Sequence, residues 1–284
     1  MTRKFVLTLS CPERPGIVHA LTSFLVEHGC DIDEHQQFDD IVGNVLFART
    51  SFVARTADLT TRQLADAFRP VAISYEMTWQ LHDISAQPRI LVMVSKFDHC
   101  FNELLYRWRT ATLDGDIVAV VSNHDSLRLM AESAGLPFVH IPVTSATKEA
   151  AEHQLLDLVD EHHIDLVVLA RYMQILSDET CKSLEGRAIN IHHSFLPSFA
   201  GAKPYHRAYE RGVKLVGATA HYVTADLDEG PIIEQEVVRV DHRLPPDALI
   251  TMGRDAERLA LARAVSWHCQ RRILLSGNRT VIFS

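Results

Sequence analysis

The stretch NIHHSFLPSFAGAKPYHRAYERG, Asn190 to Gly212, puts one amide, three imidazoles, two prolines and two glycines at the end of the strand-like run AINIHH. Side chains alternate along a strand, so Asn190 and His192 share one side while Ile191 and His193 take the other. An amide N–H and an imidazole are thereby offered to one small volume. The run LVGATAHYV places Thr219 and His221 on one face in the same way, then enters TADLDEGPI, an acidic turn carrying Asp226, Asp228 and Glu229 ahead of a Gly-Pro pair. A carboxylate beside an imidazole commonly orients the ring and raises its pKa.

Plainer uses exist for each residue. Asn190 can satisfy loop backbone and His192 can cap a strand end. His192, His193, His206, His221 and Asp228 are all candidate metal ligands, yet no H-E-x-x-H or H-x-x-E-H pattern occurs, so no metal is expected. Ser194 lacks the G-x-S-x-G elbow of a nucleophile. Neither G-x-x-x-x-G-K-[ST] nor G-x-G-x-x-G is present, and no nucleotide cofactor is expected.

The surrounding elements say where this chemistry sits. From Arg89 onward, short apolar strands (RILVMVS, DIVAVVS, FVHIPV, IDLVVLA) alternate with amphipathic helices (NELLYRWRTATL, SLRLMAESAGL, TKEAAEHQLLDLVDEHH). That grammar predicts an α/β, Rossmann-like domain with a mainly parallel sheet covered on both faces. Ligands of such sheets bind at the carboxyl ends of the strands, where AINIHH ends. Residues 1–82 read differently: FVLTLS, IVHALTSFLVEHG, CDIDEHQQF, GNVLFARTSFV, TADLTTRQLADAFRPVA and SYEMTWQLH give a ferredoxin-like βαββαβ order. Residues 83–88 are the expected linker and 89–284 the second domain, closed by the helix ERLALARAVSWHCQRRILL and the strand TVIFS.

Composition sets outer bounds. The 284 residues are 47% hydrophobic and 23% charged, ordinary for globular domains, and a net charge of -8 argues against a nucleic-acid surface. No apolar run is long enough for a membrane span, and the five scattered cysteines suit reduced thiols; a cytoplasmic protein is expected.

The conjunction of NIHHSFLPSFAG with VGATAHYVTADLDEGPIIEQ resembles the formyltransferase fold family, whose signature is Asn-x-His at a strand end and Asp just before Gly-Pro. The resemblance implies a catalytic trio of Asn190, His192 and Asp228, with His221 and Thr219 behind it. It also implies a folate site at LARYMQILS and the Thr224–Asp228 loop, through Met173, Gln174, Leu176, Thr224 and Leu227. Attack on a formyl carbonyl builds negative charge on its oxygen, so donors such as Asn190 and protonated His192 would lower the barrier. Asp228 would favour imidazolium, position the nucleophile and help remove its proton.

Acceptors in that family are an amine, a charged initiator tRNA or water. VSKFDHCFNELLYRW stands where a ribonucleotide-binding transferase has a Gly-rich phosphate cradle, and where a tRNA formyltransferase has an extra basic C-terminal domain one helix and a final strand are expected. The start, CPERPGIVHALTSFLVEHGCDI, resembles an ACT domain, although Glu13 stands where Asp is expected. Together with SKFDHCFNELLYR, GAKPYHRAYERGVKLVGATAHYV and GNRTVIF, it makes the whole chain similar to the formyltetrahydrofolate deformylase family. That family hydrolyses 10-formyltetrahydrofolate to tetrahydrofolate and formate, with formate feeding purine synthesis. The implied partners are a folate substrate, other copies of the chain, and an amino-acid effector near Glu13, Gly16 and Ile17, unless residues 1–82 serve dimerisation alone. Lys203 and His206 either tighten the loop over the site or cap the helix near Tyr205. Transfer to an amine and non-catalytic folate binding are the alternatives.

Overall fold

The computed structural model describes residues 3–55, 59–196 and 204–283, the side chains of Pro204 and His206 excepted. It comprises two compact units. In the first, β1 (Lys4–Pro12), α1 (Ile17–Glu27), β2 (Cys30–Asp40), β3 (Val45–Ala54), α2 (Thr61–Ser74) and β4 (Thr78–Asp83) follow the expected order. The four strands pair antiparallel in the order β2-β3-β1-β4, the ferredoxin-like arrangement. Phe5, Leu7 and Leu9 alternate along β1 and bury against Leu21, Phe24 and Leu25 of α1 and Leu64, Phe68 and Ala72 of α2. α2 opens on a capping box in which the Thr60 hydroxyl accepts from Gln63 N while Gln63 Oε1 accepts from Thr60 N. It runs on through Ser74, where the sequence suggests a strand, because the apolar spacing Leu64, Phe68, Ala72 keeps the helical period.

In the second unit the order is β5 (Arg89–Val94), α3 (His99–Arg109), β6 (Asp116–Ser122), α4 (Arg128–Ser133), β7 (Phe138–His140), α5 (Lys148–Glu161), β8 (Leu166–Ala170), α6 (Asp178–Ser183), β9 (Ala188–His192), α7 (Pro204–Arg211), β10 (Leu215–Tyr222), β11 (Ile232–Arg239) and α8 (Pro246–Cys269). The sheet has seven strands in the order β11-β10-β9-β8-β5-β6-β7. The pairs from β9 to β7 are parallel, whereas β10 is antiparallel to both β9 and β11. Consistent with burial on both faces, β5 and β8 are almost wholly apolar and buried.

The chain ends differently from the sequence expectation. α8 stops at Cys269, Arg271 takes a left-handed φ of 56°, and the residues read as its last turn form β12 (Ile273–Ser276), paired with β13 (Arg279–Ile282). Arg271–Ser276 and the segment from Val281 belong to the first unit, not to a second domain reaching residue 284. Burying Leu274 and Phe283 against Phe47 is the physical reason. No helix among the described residues is long and apolar enough to cross a membrane.

Candidate active site

β8, β9 and β10 lie side by side, and their register builds the site. His221 stands opposite Asn190 and Thr219 opposite His192 across the antiparallel β9–β10 pair. A register shift in the pairing with β11 falls between Ala220 and His221, with Ile233 of β11 as the extra residue beside the histidine. Beyond β10 the chain folds back on itself: Tyr222 N donates to Pro231 O at 3.0 Å. A Cβ on Gly230 would lie 1.8 Å from the Tyr222 carbonyl oxygen, so only glycine fits. That close return carries Asp228, in a left-handed conformation with φ 60°, onto the histidines. Asp adopts that region more readily than most side chains, and strain of this kind gathers at functional sites.

His192 Nδ1 lies 3.0 Å from Asp228 Oδ2, and His221 Nε2 lies 3.6 Å from Oδ1. His221 Nδ1 donates to the Tyr222 carbonyl at 2.9 Å, and its Nε2 lies 3.2 Å from Asn190 Nδ2. Burial alone would push the Asp228 carboxyl up, but the hydrogen bonds and charge of His192 and His221 outweigh it and hold the group well below the usual carboxylate range. His192 is 6% exposed, and its Nε2 has no hydrogen-bond partner among the described residues. A buried imidazole tethered on one nitrogen and bare on the other is arranged to meet a ligand.

Asn190, His192, His221 and Asp228 line a cavity of about 670 Å³. Met173, Gln174, Leu176, Thr224 and Leu227 line it too, so the expected folate residues converge on the trio. Thr219 does not: its hydroxyl donates to Ser194 O and accepts from Leu196 N, pinning the turn that leaves β9. His193 enters the cavity beside His192 despite the alternation expected of a strand, because β9 ends at His192. Its pKa is lowered to about 4, chiefly by burial and then by the Arg171 and His192 charges. In the first unit, Glu13 and Gly16 lie on an exposed turn, while Ile17 is 2% exposed and spent on the core. Lys203 lies outside the described residues, as does the side chain of His206.

Sequence reasoning gave no role to Phe97, His99, Arg254 and Glu257, which line the cavity together with Tyr205 and with Arg171 of the LARYMQILS stretch. Glu257 is 1% exposed; its carboxylate accepts from Tyr205 Oη at 3.0 Å and meets His99 Nε2 at 2.7 Å and Arg171 Nε at 3.2 Å. A signal was present: Gly253, Ala256, Ala260, Leu261 and Ala264 mark the buried stripe of α8, and Glu257 falls within it. His99, Cys100 and Glu257 also bring potential ligand atoms within 4.8 Å of one another. Arg171 already answers that carboxylate, and burial pushes the Cys100 thiol well up, which disfavours the thiolate a metal needs.

A family model described as formyl transferase matches residues 88–265. A curated relative, the formyltetrahydrofolate deformylase of Corynebacterium sp. (strain P-1), is 52% identical over 98% of both chains. The chain belongs to the formyltetrahydrofolate deformylase family. The crystal structure of a formyltetrahydrofolate deformylase from Burkholderia mallei superposes with a TM-score of 0.93 at 51% identity, covering 99% of this chain and 100% of that one. A glycinamide ribonucleotide transformylase from Symbiobacterium toebii reaches a TM-score of 0.65 at 30% identity, covering 70% of this chain and 95% of its own. The deformylase family is therefore matched over both units, the transformylase over only part of the chain.

Proposed function

We propose that this protein hydrolyses 10-formyltetrahydrofolate to tetrahydrofolate and formate. The observation that carries the reading is the bare, buried Nε2 of His192, tethered through Nδ1 to an ionised Asp228 in a cavity of folate-ring size. The pterin lies against the apolar side, lined by Leu169, Ile175, Leu176, Val223 and Leu227. The formyl group then faces Asn190 and His192.

In the neutral ring, Nδ1–H donates to Asp228 and Nε2 holds the lone pair. A water molecule attacks the formyl carbon, forming the C–O bond, and its proton passes to Nε2. The Asn190 amide donates to the oxygen that becomes negative; one such donor is worth roughly 10²–10³ in rate. The new Nε2–H supplies a second donor and then protonates N10 as the C–N10 bond breaks. His192 and His221 hold the Asp228 carboxyl well below the usual carboxylate range, so it stays ionised beside the imidazole. Its part is to fix the tautomer and balance the positive charge on His192.

The first unit is read as an ACT-type module for assembly of copies or for an amino-acid effector. Its βαββαβ order and the exposed turn at Glu13 and Gly16 support this. The test of the main reading is incubation with 10-formyltetrahydrofolate and no acceptor, following both products. Equal release of tetrahydrofolate and formate, unchanged by glycinamide ribonucleotide, is expected. Release only when an amine is supplied would replace hydrolysis by transfer.

A further inference from the structure

The lining of the cavity is of two kinds. Leu169, Ile175, Leu176, Val223 and Leu227 give it apolar surface, whereas Glu257, Arg171 and Arg254 bring a buried carboxylate and two guanidinium groups. Arg171 lines the same cavity as Asn190, His192 and Asp228. We propose that Arg171, clamped on Glu257, occupies the approach an amine would need and so makes water the acceptor. The proposal rests on the deformylase reading and extends it to acceptor choice.

Four observations support the clamp. Arg171 takes a left-handed φ of 64°, a conformation costly for a long side chain, at the point where the chain leaves β8 for the cavity. Its side chain is only 10% exposed, and its guanidinium lies 5.6 Å from the Phe97 ring centre; Arg254 stacks on the same ring at 5.2 Å. Glu257 takes hydrogen bonds from Tyr205 Oη and His99 Nε2, and Arg171 Nε, itself without a hydrogen-bond partner among the described residues, faces it as an ion pair at 3.2 Å. A Cβ on Gly253 would fall 2.0 Å from Tyr205 Oη, so that glycine lets the phenol reach Glu257. Burying such a pair is costly in desolvation, an odd thing to keep unless the pair serves the site. A water molecule needs about 30 Å³ and slips past; an amine needs room for its substituent and a place free of a fixed cation.

The partition of the formyl group between water and hydroxylamine tests this. Hydroxylamine nitrogen attacks the formyl carbon, the C–N10 bond breaks, and N10 takes the proton the amine gives up, yielding tetrahydrofolate and N-hydroxyformamide, read as its ferric complex. Wild type is expected to give almost only formate. Arg171→Gly, which removes the guanidinium and suits the left-handed backbone, should raise the hydroxamate-to-formate ratio by roughly tenfold or more. Arg171→Lys, which keeps the charge on a slimmer head, should fall between and serves if the glycine variant does not fold. A ratio is unmoved by a general loss of rate, so a merely structural role would leave it constant. Continued formate release with an unchanged ratio in both variants overturns the clamp alone. No release of tetrahydrofolate from wild type, with or without hydroxylamine, overturns the deformylase reading beneath it.

Discussion

Asp228→Asn removes one charge while keeping the side-chain shape and a residue type that accepts the left-handed backbone at φ 60°. The carboxylate lies 3.0 Å from His192 Nδ1 and its side chain is 22% exposed. At an effective dielectric of about 20, a unit charge at that separation stabilises an imidazolium by roughly 5.5 kcal/mol. Partial exposure reduces this, and the usual general-base contribution gives a lower bound of about 10² in rate. Since about 1.36 kcal/mol is a factor of ten, kcat should fall by roughly 10²–10⁴. Asn also presents an N–H that competes to donate, which favours the wrong ring tautomer. The assay is single-turnover formate release, with binding of 5-formyltetrahydrofolate measured by calorimetry. Affinity should change little, because Asp228 meets the histidines rather than the pterin. A kcat within threefold of wild type, with binding intact, would refute the role of the His192–Asp228 tether.

Three further perturbations address the frame around that tether. Gly230→Ala should lower both activity and melting temperature, because its Cβ would meet the Tyr222 carbonyl oxygen at 1.8 Å; a variant of wild-type activity would show that the loop needs no such close return. His193 has a folded pKa of about 4 against 6.5 unfolded, so between those values the unfolded chain binds the extra proton and stability falls as pH drops. In urea melts across that window His193→Gln should flatten the loss, and an unaltered slope would remove His193 as its source. Thr60→Ala should cost the first unit about 1 kcal/mol through its lost cap while leaving deformylation unchanged, as read by melts and by formate release.

Much of the site was readable because its signals are local. The two-residue step from Asn190 to His192, the return at Gly230 and Pro231, and the alternation of apolar strands with amphipathic helices are each written within a short window. What stayed hidden depends on residues far apart in the chain. Arg171 follows β8 and Glu257 lies in α8, and only the packed sheet and helix bring their charges to 3.2 Å. A glutamate in an apolar helix stripe marks a buried charge, but not its partner.

The chain end shows the same divide. Arg272 to Leu275 is as apolar in pattern as a helix turn, and nothing nearby says that Leu274 and Phe283 will bury against Phe47. The sequence by itself determined most element types and the family, and it marked Asn190, His192 and Asp228 as candidates, because propensity, periodicity and turn chemistry act over a few residues. Tertiary structure alone decided which charged side chains share the trio's cavity and which unit receives the last strands, because burial and charge pairing are settled by whatever surface the fold leaves within reach.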